Sequence, residues 1–193
     1  MTIELRKLGH EAYSCDVEPC SGGFPEWHLQ QDVIPLLQEK WDMILAFPPC
    51  TYLSKAGARH LYPKRQLDRE RYERGVRAKD FFMKIYNADC PKIAIENPVS
   101  LRIYELPECS QTIRPWQFGH PYTKTTRLWL KGLPQLMPTS VVPPKMPYVN
   151  SSKATLKGQY GSRRTAKNRA KTFPGIAKAM AEQWAGERTE QDG

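Results

Sequence analysis

The two stretches that decide the expected fold are DMILAFPPC at residues 42–50 and KIAIENP at residues 92–98. Each opens with a short apolar run, typical of a buried strand, and ends in prolines next to a thiol or a carboxyl group. A helical pattern at residues 67–86 separates them. Because buried strands joined through helices favour parallel pairing, the sequence predicts an α/β sheet.

The flanking sequence extends this pattern in both directions. Strands are predicted at residues 12–16, 114–118 and 127–131, and helices at 33–38 and 176–184.

A chain of 193 residues, 40% of them hydrophobic, has room for one domain with a sizeable core, which we assign to residues 1–193. Within it, the Ser/Lys/Arg/Gly-rich stretch predicts a basic flexible loop at residues 143–170. The polar residues 187–193 predict a frayed tail.

Positive charge is concentrated in one part of the chain. The net charge is +9, but residues 109–181 contain 13 Lys and Arg and no acidic residue. Such a block predicts one strongly positive face, and phosphate is the polyanion that such a face most often meets. Nucleic acid is therefore favoured over a solvated basic surface or an acidic protein partner.

Other classes of protein are disfavoured by what the sequence contains. The five cysteines are an odd number without a repeated spacing, which argues against a disulfide framework. Cys15, Cys20 and His28 form only a weak zinc pattern, so no metal is expected. No run approaches the ~20 apolar residues of a membrane span, and the N-terminus lacks a secretory signal, so we expect an intracellular protein.

The chemistry is expected at the ends of the two buried strands, because ligands of parallel sheets collect at the carboxyl ends of strands. Cys50 follows a rigid Pro-Pro turn, and Glu96 follows the next buried strand. A cysteine thiol can attack C6 of a pyrimidine, and a protonated carboxyl near N3 of cytosine can draw electron density from the ring. The alternatives are a small buried cysteine and a capping or surface glutamate.

The tetrapeptide at residues 47–50 also bears on which atom reacts. In amino-group methyltransferases a polar acceptor precedes two prolines and an aromatic residue follows them. Here Phe47 takes the place of the acceptor and Cys50 that of the aromatic residue, which favours carbon over an exocyclic nitrogen.

Four segments, FPPCTYLS, IAIENP, WQFGHPYTKTTRLWLKGLP and TFPGIAKAMAEQW, together resemble the compact, phage-type DNA cytosine-5 methyltransferases. The resemblance implies a Rossmann-type sheet with helices on both faces and transfer of a methyl group from S-adenosylmethionine to C5 of a flipped cytosine in double-stranded DNA. By it Cys50 is the nucleophile, Glu96 the acid, and Arg127 an active-site arginine. A phosphate-binding role for Arg127 is the alternative. The expected compartment is the cytoplasm of a bacterium or a phage-infected host cell.

The resemblance also implies cofactor and DNA contacts. Asp16 matches the acid that bonds the ribose hydroxyls, Asp32 matches the residue that reads the adenine amine, and Pro48 borders the cofactor. Asp32 is also well placed to cap a helix that begins at Val33. The expected DNA contacts are Lys124, Arg163, Arg164, Lys167 and Arg169.

The chain differs from the family at the N-terminus, where the first strand and its Gly-rich turn are missing. In the family that strand lies between the one ending at Asp16 and the one ending at Cys50. Three accounts remain: an upstream segment, a partner chain that completes the sheet, or an inactive relative that only binds DNA. A folate-dependent pyrimidine-modifying enzyme is a further alternative, but it leaves the Glu-Asn-Pro sequence and the two aspartates unexplained.

Overall fold

The computed structural model describes residues 1–145 and 172–188 as a chain of short helices and strands. The helices are α1 (Thr2–Lys7), α2 (Val33–Leu36), α3 (Ala58–Leu61), α4 (Arg69–Tyr86) and α5 (Pro174–Trp184). The strands are β1 (Ser14–Asp16), β2 (His28–Gln30), β3 (Ile44–Ala46), β4 (Ile93–Pro98), β5 (Gln111–Ile113) and β6 (Thr126–Lys131).

The strands form a mixed four-stranded sheet and a separate two-stranded one. The larger sheet has the order β3-β4-β6-β5, with β3 parallel to β4 and with β6 antiparallel to both of its neighbours. The smaller sheet is the parallel pair β1-β2. The predicted α/β class and the parallel pairing in the first half of the chain are therefore confirmed.

The two sheets remain separate among the described residues. β1 pairs only with β2, and β3 pairs on one side only, with β4. The residues before β1 include α1, and the segment that follows α1 is held to the C-terminal part of the chain by the hydrogen bond of 2.8 Å between His10 Nε2 and the Gly186 carbonyl.

One predicted strand is wrong. Residues 114–118 contain a turn of 3₁₀ helix, Pro115–Gln117, and the strand lies earlier, at β5. Pro115 has no amide proton to give to a sheet, and the Gln117 side chain accepts a 2.7 Å hydrogen bond from the Arg114 amide. Strand β2 escaped prediction because its sequence, His-Leu-Gln, contains one apolar residue and so gives no apolar run.

Two apolar clusters cover the two faces of the larger sheet. Phe82 and Ile85 of α4 pack with Ile93, Ile95 and Trp129 on one face. On the other face, residues of α5 pack with residues of the sheet; among them are Met180, Trp184, Ala94, Ile113 and Leu128. The sheet is thus covered by helices on both faces. Of the helices described, none combines the length and the apolar character needed to cross a membrane.

The loop after β4 is seated on α4 through a close approach of Tyr104 to Gly75. Tyr104 is buried, and a Cβ atom added at Gly75 would lie 2.1 Å from two atoms of its side chain. A glycine in the middle of an 18-residue helix is unfavourable by itself. Its presence is explained here by the space that the ring needs.

We predict that Gly75→Ala lowers the free energy of unfolding by about 1–3 kcal/mol, because overpacking outweighs the gain of about 1 kcal/mol in helix propensity. Gly22→Ala is the control, since a Cβ at Gly22 meets nothing within 4 Å. Urea denaturation measures both. A stabilising Gly75→Ala substitution would show that the ring does not rest on this helix.

Candidate active site

The Cys50 turn and the Glu96-Asn97-Pro98 segment lie side by side because their strands are paired. The register of β3 with β4 ends at Ala46 opposite Ile95, so the residues that follow leave the same edge of the sheet. β4 continues through Pro98 because β6 still pairs with it there, whereas β3 has already ended. Glu96 therefore lies within the strand rather than after it.

Backbone hydrogen bonds continue the contact beyond the strands. The turn itself is closed by the Ser54 amide, which donates to the Cys50 carbonyl at 3.0 Å. Two further bonds tie the loop to the segment after β4: Leu101 N to Leu53 O at 2.7 Å and Lys55 N to Val99 O at 2.9 Å.

The Asn97 side chain connects the Glu96-Asn97-Pro98 segment to the Pro-Pro turn. It is fully buried, and its Nδ2 donates to the Pro48 carbonyl at 3.5 Å. Its Oδ1 is buried without a hydrogen-bond partner among the described residues. A buried amide is costly unless it is bonded, so Asn97 constrains the position of the Pro-Pro turn that carries Cys50.

Glu96 is a largely buried carboxyl group with one cation close by. Its side chain is 15% exposed, and Lys124 Nζ lies 3.9 Å from Oε1. Burial raises the pKa of Glu96; the Lys124 charge and a hydrogen bond from the Thr126 hydroxyl oppose this shift but do not cancel it. Glu96 therefore keeps its proton to a higher pH than an exposed glutamate does.

Arg127 lies on the other face of the sheet from Glu96. The antiparallel register places Glu96 opposite Leu128 and Asn97 opposite Arg127, and successive residues of a strand point to opposite faces. Arg127 lines a cavity of about 300 Å³ together with Lys55 and Cys109. The cation beside the acid is Lys124, which the sequence had suggested as a DNA contact. The catalytic role of Arg127 stays a prediction.

The cofactor candidates Asp16 and Asp32 lie near each other at one end of the two-stranded sheet. Burial raises the pKa of the Cys15 thiol, and the charges of Asp16 and Asp32 raise it further. Both carboxylates therefore lie close enough to Cys15 to act on it. Asp32 Oδ1 accepts from the Ile34 amide at 2.9 Å and caps α2, and Asp16 Oδ1 accepts from the Glu18 amide at 3.0 Å. The third candidate, Pro48, is buried at the Asn97 contact.

Four of the five DNA-contact candidates, Arg163, Arg164, Lys167 and Arg169, lie outside the described residues, as does most of the predicted loop at 143–170. The predicted tail at 187–193 is described only as far as residue 188.

The described part of the chain shows no cluster of metal-binding side chains. Over residues 1–145 and 172–188 no group of three His, Cys, Asp or Glu is placed to hold a metal ion. His28, for example, uses Nδ1 with Ser14 Oγ at 2.9 Å and Nε2 with the Glu18 carbonyl at 2.9 Å.

The sequence interpretation missed a second basic segment next to the Cys50 turn. Residues 55–80 carry nine Lys and Arg and four Asp and Glu. Residues 1–54 carry only three Lys and Arg and eight Asp and Glu. Counting charge in short windows, rather than only in the acid-free block, would have found it.

In three comparisons with known proteins, no family model, no curated protein and no solved structure matches this chain. The case for a function therefore depends on the geometry of the site.

We predict that Glu96 makes stability depend on pH. Because its pKa is raised on folding, the folded state binds the proton more tightly. The stability this contributes is present below the ordinary carboxyl pKa and is lost as pH rises through the raised pKa, by at most ~1.4 kcal/mol per pH unit. Glu96→Gln removes this dependence.

The free energy of unfolding of wild type and Glu96→Gln is measured with urea between pH 4 and 8. We expect the variant to become more stable relative to wild type as the pH rises. Glu73→Gln, which removes an exposed carboxyl from α4, is the matched control. Parallel pH profiles for wild type and Glu96→Gln would contradict the assignment.

Proposed function

We propose that the chain acts on DNA as a cytosine-5 methyltransferase-like protein in which Cys50 attacks C6 of a flipped cytosine and Glu96 serves as the acid. The observation that carries the proposal is the largely buried carboxyl of Glu96, whose pKa burial raises, in the strand that pairs with the one leading to the Cys50 turn.

The addition step uses only groups of this chain and the base. The Cys50 thiolate forms a bond to C6, and the electron pair of the C5–C6 double bond moves into the ring toward N3, which takes the proton of Glu96. C5 of the adduct is then an enamine-like carbon that accepts an electrophile. In the reverse direction Glu96 recovers the proton from N3 and the C6–S bond breaks.

The acid suits this step because of where it lies. An exposed glutamate is ionised at neutral pH and cannot donate, whereas burial favours the form that carries a proton. Lys124, at 3.9 Å, stabilises the carboxylate that donation leaves behind. Since a base within a duplex cannot reach a buried acid, the cytosine has to leave the helix.

The finer fold that we propose is a methyltransferase-type sheet with its first strand absent. Two observations support it: β1 and β3 belong to separate sheets among the described residues, and Asp16 ends β1 while Asp32 lies two residues after β2. In the family the missing strand lies between the strands that end at Asp16 and at Cys50. An upstream segment or a partner chain would then complete the sheet.

The described residues fit the proposed cofactor, S-adenosylmethionine, only in part. Asp16 and Asp32 offer carboxylate oxygens to the hydroxyls and amine of an adenosine. The segment before β1, where the family has a Gly-rich turn, is the helix α1, so no described group there holds the methionine half. When bound, the cofactor supplies the methyl group.

The alternative function is that of a relative that binds DNA without methylating it. The two functions differ in whether Cys50 reacts with cytosine, and that reaction needs no methyl donor.

We predict that the chain exchanges the C5 hydrogen of cytosine with water. Attack at C6 allows C5 to take a proton from water, and reversal releases the original hydrogen. With duplex DNA tritiated at C5 of its cytosines, tritium release into water measures this step without any cofactor. Cys50→Ser should abolish release, and Glu96→Gln should slow it at least ~10²-fold.

Cys15→Ser and Cys90→Ser are the controls, because Cys15 bonds the Gln31 carbonyl and Cys90 the Trp41 carbonyl, both away from the Cys50 turn. Release that persists in Cys50→Ser would exclude Cys50 as the nucleophile. A wild-type chain that binds duplex DNA but releases no tritium would favour the non-catalytic alternative.

Binding to duplex DNA is predicted to weaken steeply as the salt concentration rises, because the Lys and Arg residues of the acid-free block at 109–181 displace counterions from DNA. Neutralising Arg163, Arg164, Lys167 and Arg169 together should flatten the plot of log affinity against log salt, measured by fluorescence anisotropy. Affinity that does not depend on salt would count against nucleic acid as the partner.

A further inference from the structure

A cavity of about 370 Å³ beside the Cys50 turn is lined by three arginines, one histidine and two acids. Arg59 and His60 come from α3, and Arg71 and Arg74 from the first two turns of α4. All four belong to the basic segment at residues 55–80, which no part of the proposed mechanism uses.

The acids of the cavity do not neutralise all of its arginines. Glu70 pairs with Arg74, and Asp68 accepts a hydrogen bond from the backbone amide of Arg71 as the N-cap of α4. Within the described residues, neither Arg59 nor Arg71 forms an ion pair. Two guanidinium groups without a carboxylate partner in one open cavity favour an anion, and their planar donor arrays suit phosphate oxygens.

Arg71 is also fixed to the backbone next to Cys50. Its Nη2 donates to the Thr51 carbonyl at 3.1 Å, and its guanidinium lies 5.0 Å from the centre of the Tyr52 ring. Gly57 allows this approach, since a Cβ there would lie 2.9 Å from Thr51 O and 3.0 Å from Arg71 Nη2. An anion that binds Arg71 therefore contacts the same side chain that holds the residue after Cys50.

We propose that this cavity binds a backbone phosphate of the DNA strand that carries the reacting cytosine. The inference rests on the proposed function and adds a subsite to it. Arg59 supplies charge for the phosphate, whereas Arg71 is a positioning residue that links the bound phosphate to the Cys50 turn.

The binding test compares Arg59→Gln with Arg77→Gln, a matched loss of one exposed charge on α4 outside the cavity. Loss of one phosphate contact should reduce the slope of log affinity against log salt by about 0.9 and weaken duplex binding about eightfold at 0.1 M salt. We expect this for Arg59→Gln and a clearly smaller change for Arg77→Gln. Equal changes in the two variants would overturn the proposal.

The positioning test uses Arg71→Lys, which keeps the charge but not the planar fork. We expect an unchanged salt slope and a tritium release rate at least tenfold lower. A release rate equal to wild type would overturn the link to Cys50. If wild type releases no tritium while the difference between Arg59→Gln and Arg77→Gln persists, the proposed reaction fails and the phosphate subsite stands.

Inorganic phosphate distinguishes a free anion from a phosphodiester. Its binding to wild type and Arg59→Gln is followed by calorimetry at constant ionic strength. If Arg59→Gln abolishes phosphate binding but leaves the salt slope for duplex DNA unchanged, the cavity takes a free anion and the proposal is overturned.

Discussion

The parallel pairing of β3 with β4 is the interaction on which the rest of the site depends. It brings two chain segments that are about 50 residues apart to one edge of the sheet, with Ala46 opposite Ile95. The loop bonds between residues 53–55 and 99–101 and the Asn97 contact to Pro48 then extend that alignment past the last paired residues. The turn that carries Cys50 and the strand that carries Glu96 are thus held together by backbone hydrogen bonds and by the Asn97 side chain.

Burial and charge act against each other at Glu96. Burial favours the neutral acid, while Lys124 and Thr126 favour the carboxylate. The balance keeps the pKa raised, yet leaves a cation within 3.9 Å when the proton departs. Such a group can give up and recover a proton without a large rearrangement, which is what reversible addition to a base needs.

The arginines around Tyr52 connect this chemistry with the surface of the molecule. Arg71 reaches the Thr51 carbonyl from α4, the same helix whose Phe82 packs under the sheet. One helix therefore contributes to the core, to the cationic cavity and to the support of the Cys50 turn. The cavity and the turn that carries Cys50 are then parts of one structural unit.

The sequence by itself determined the α/β class, the two buried strands and the long helix between them, because apolar periodicity and proline positions are local signals. It placed Cys50 just beyond one buried strand, but it was wrong to place Glu96 after the next one, because β6 continues to pair with β4 as far as Pro98. Only the tertiary structure decided that Lys124 rather than Arg127 accompanies Glu96, because the face of an arginine follows from the register of β6. It alone assembled the cationic cavity, because α3, α4 and the Cys50 turn meet only through packing.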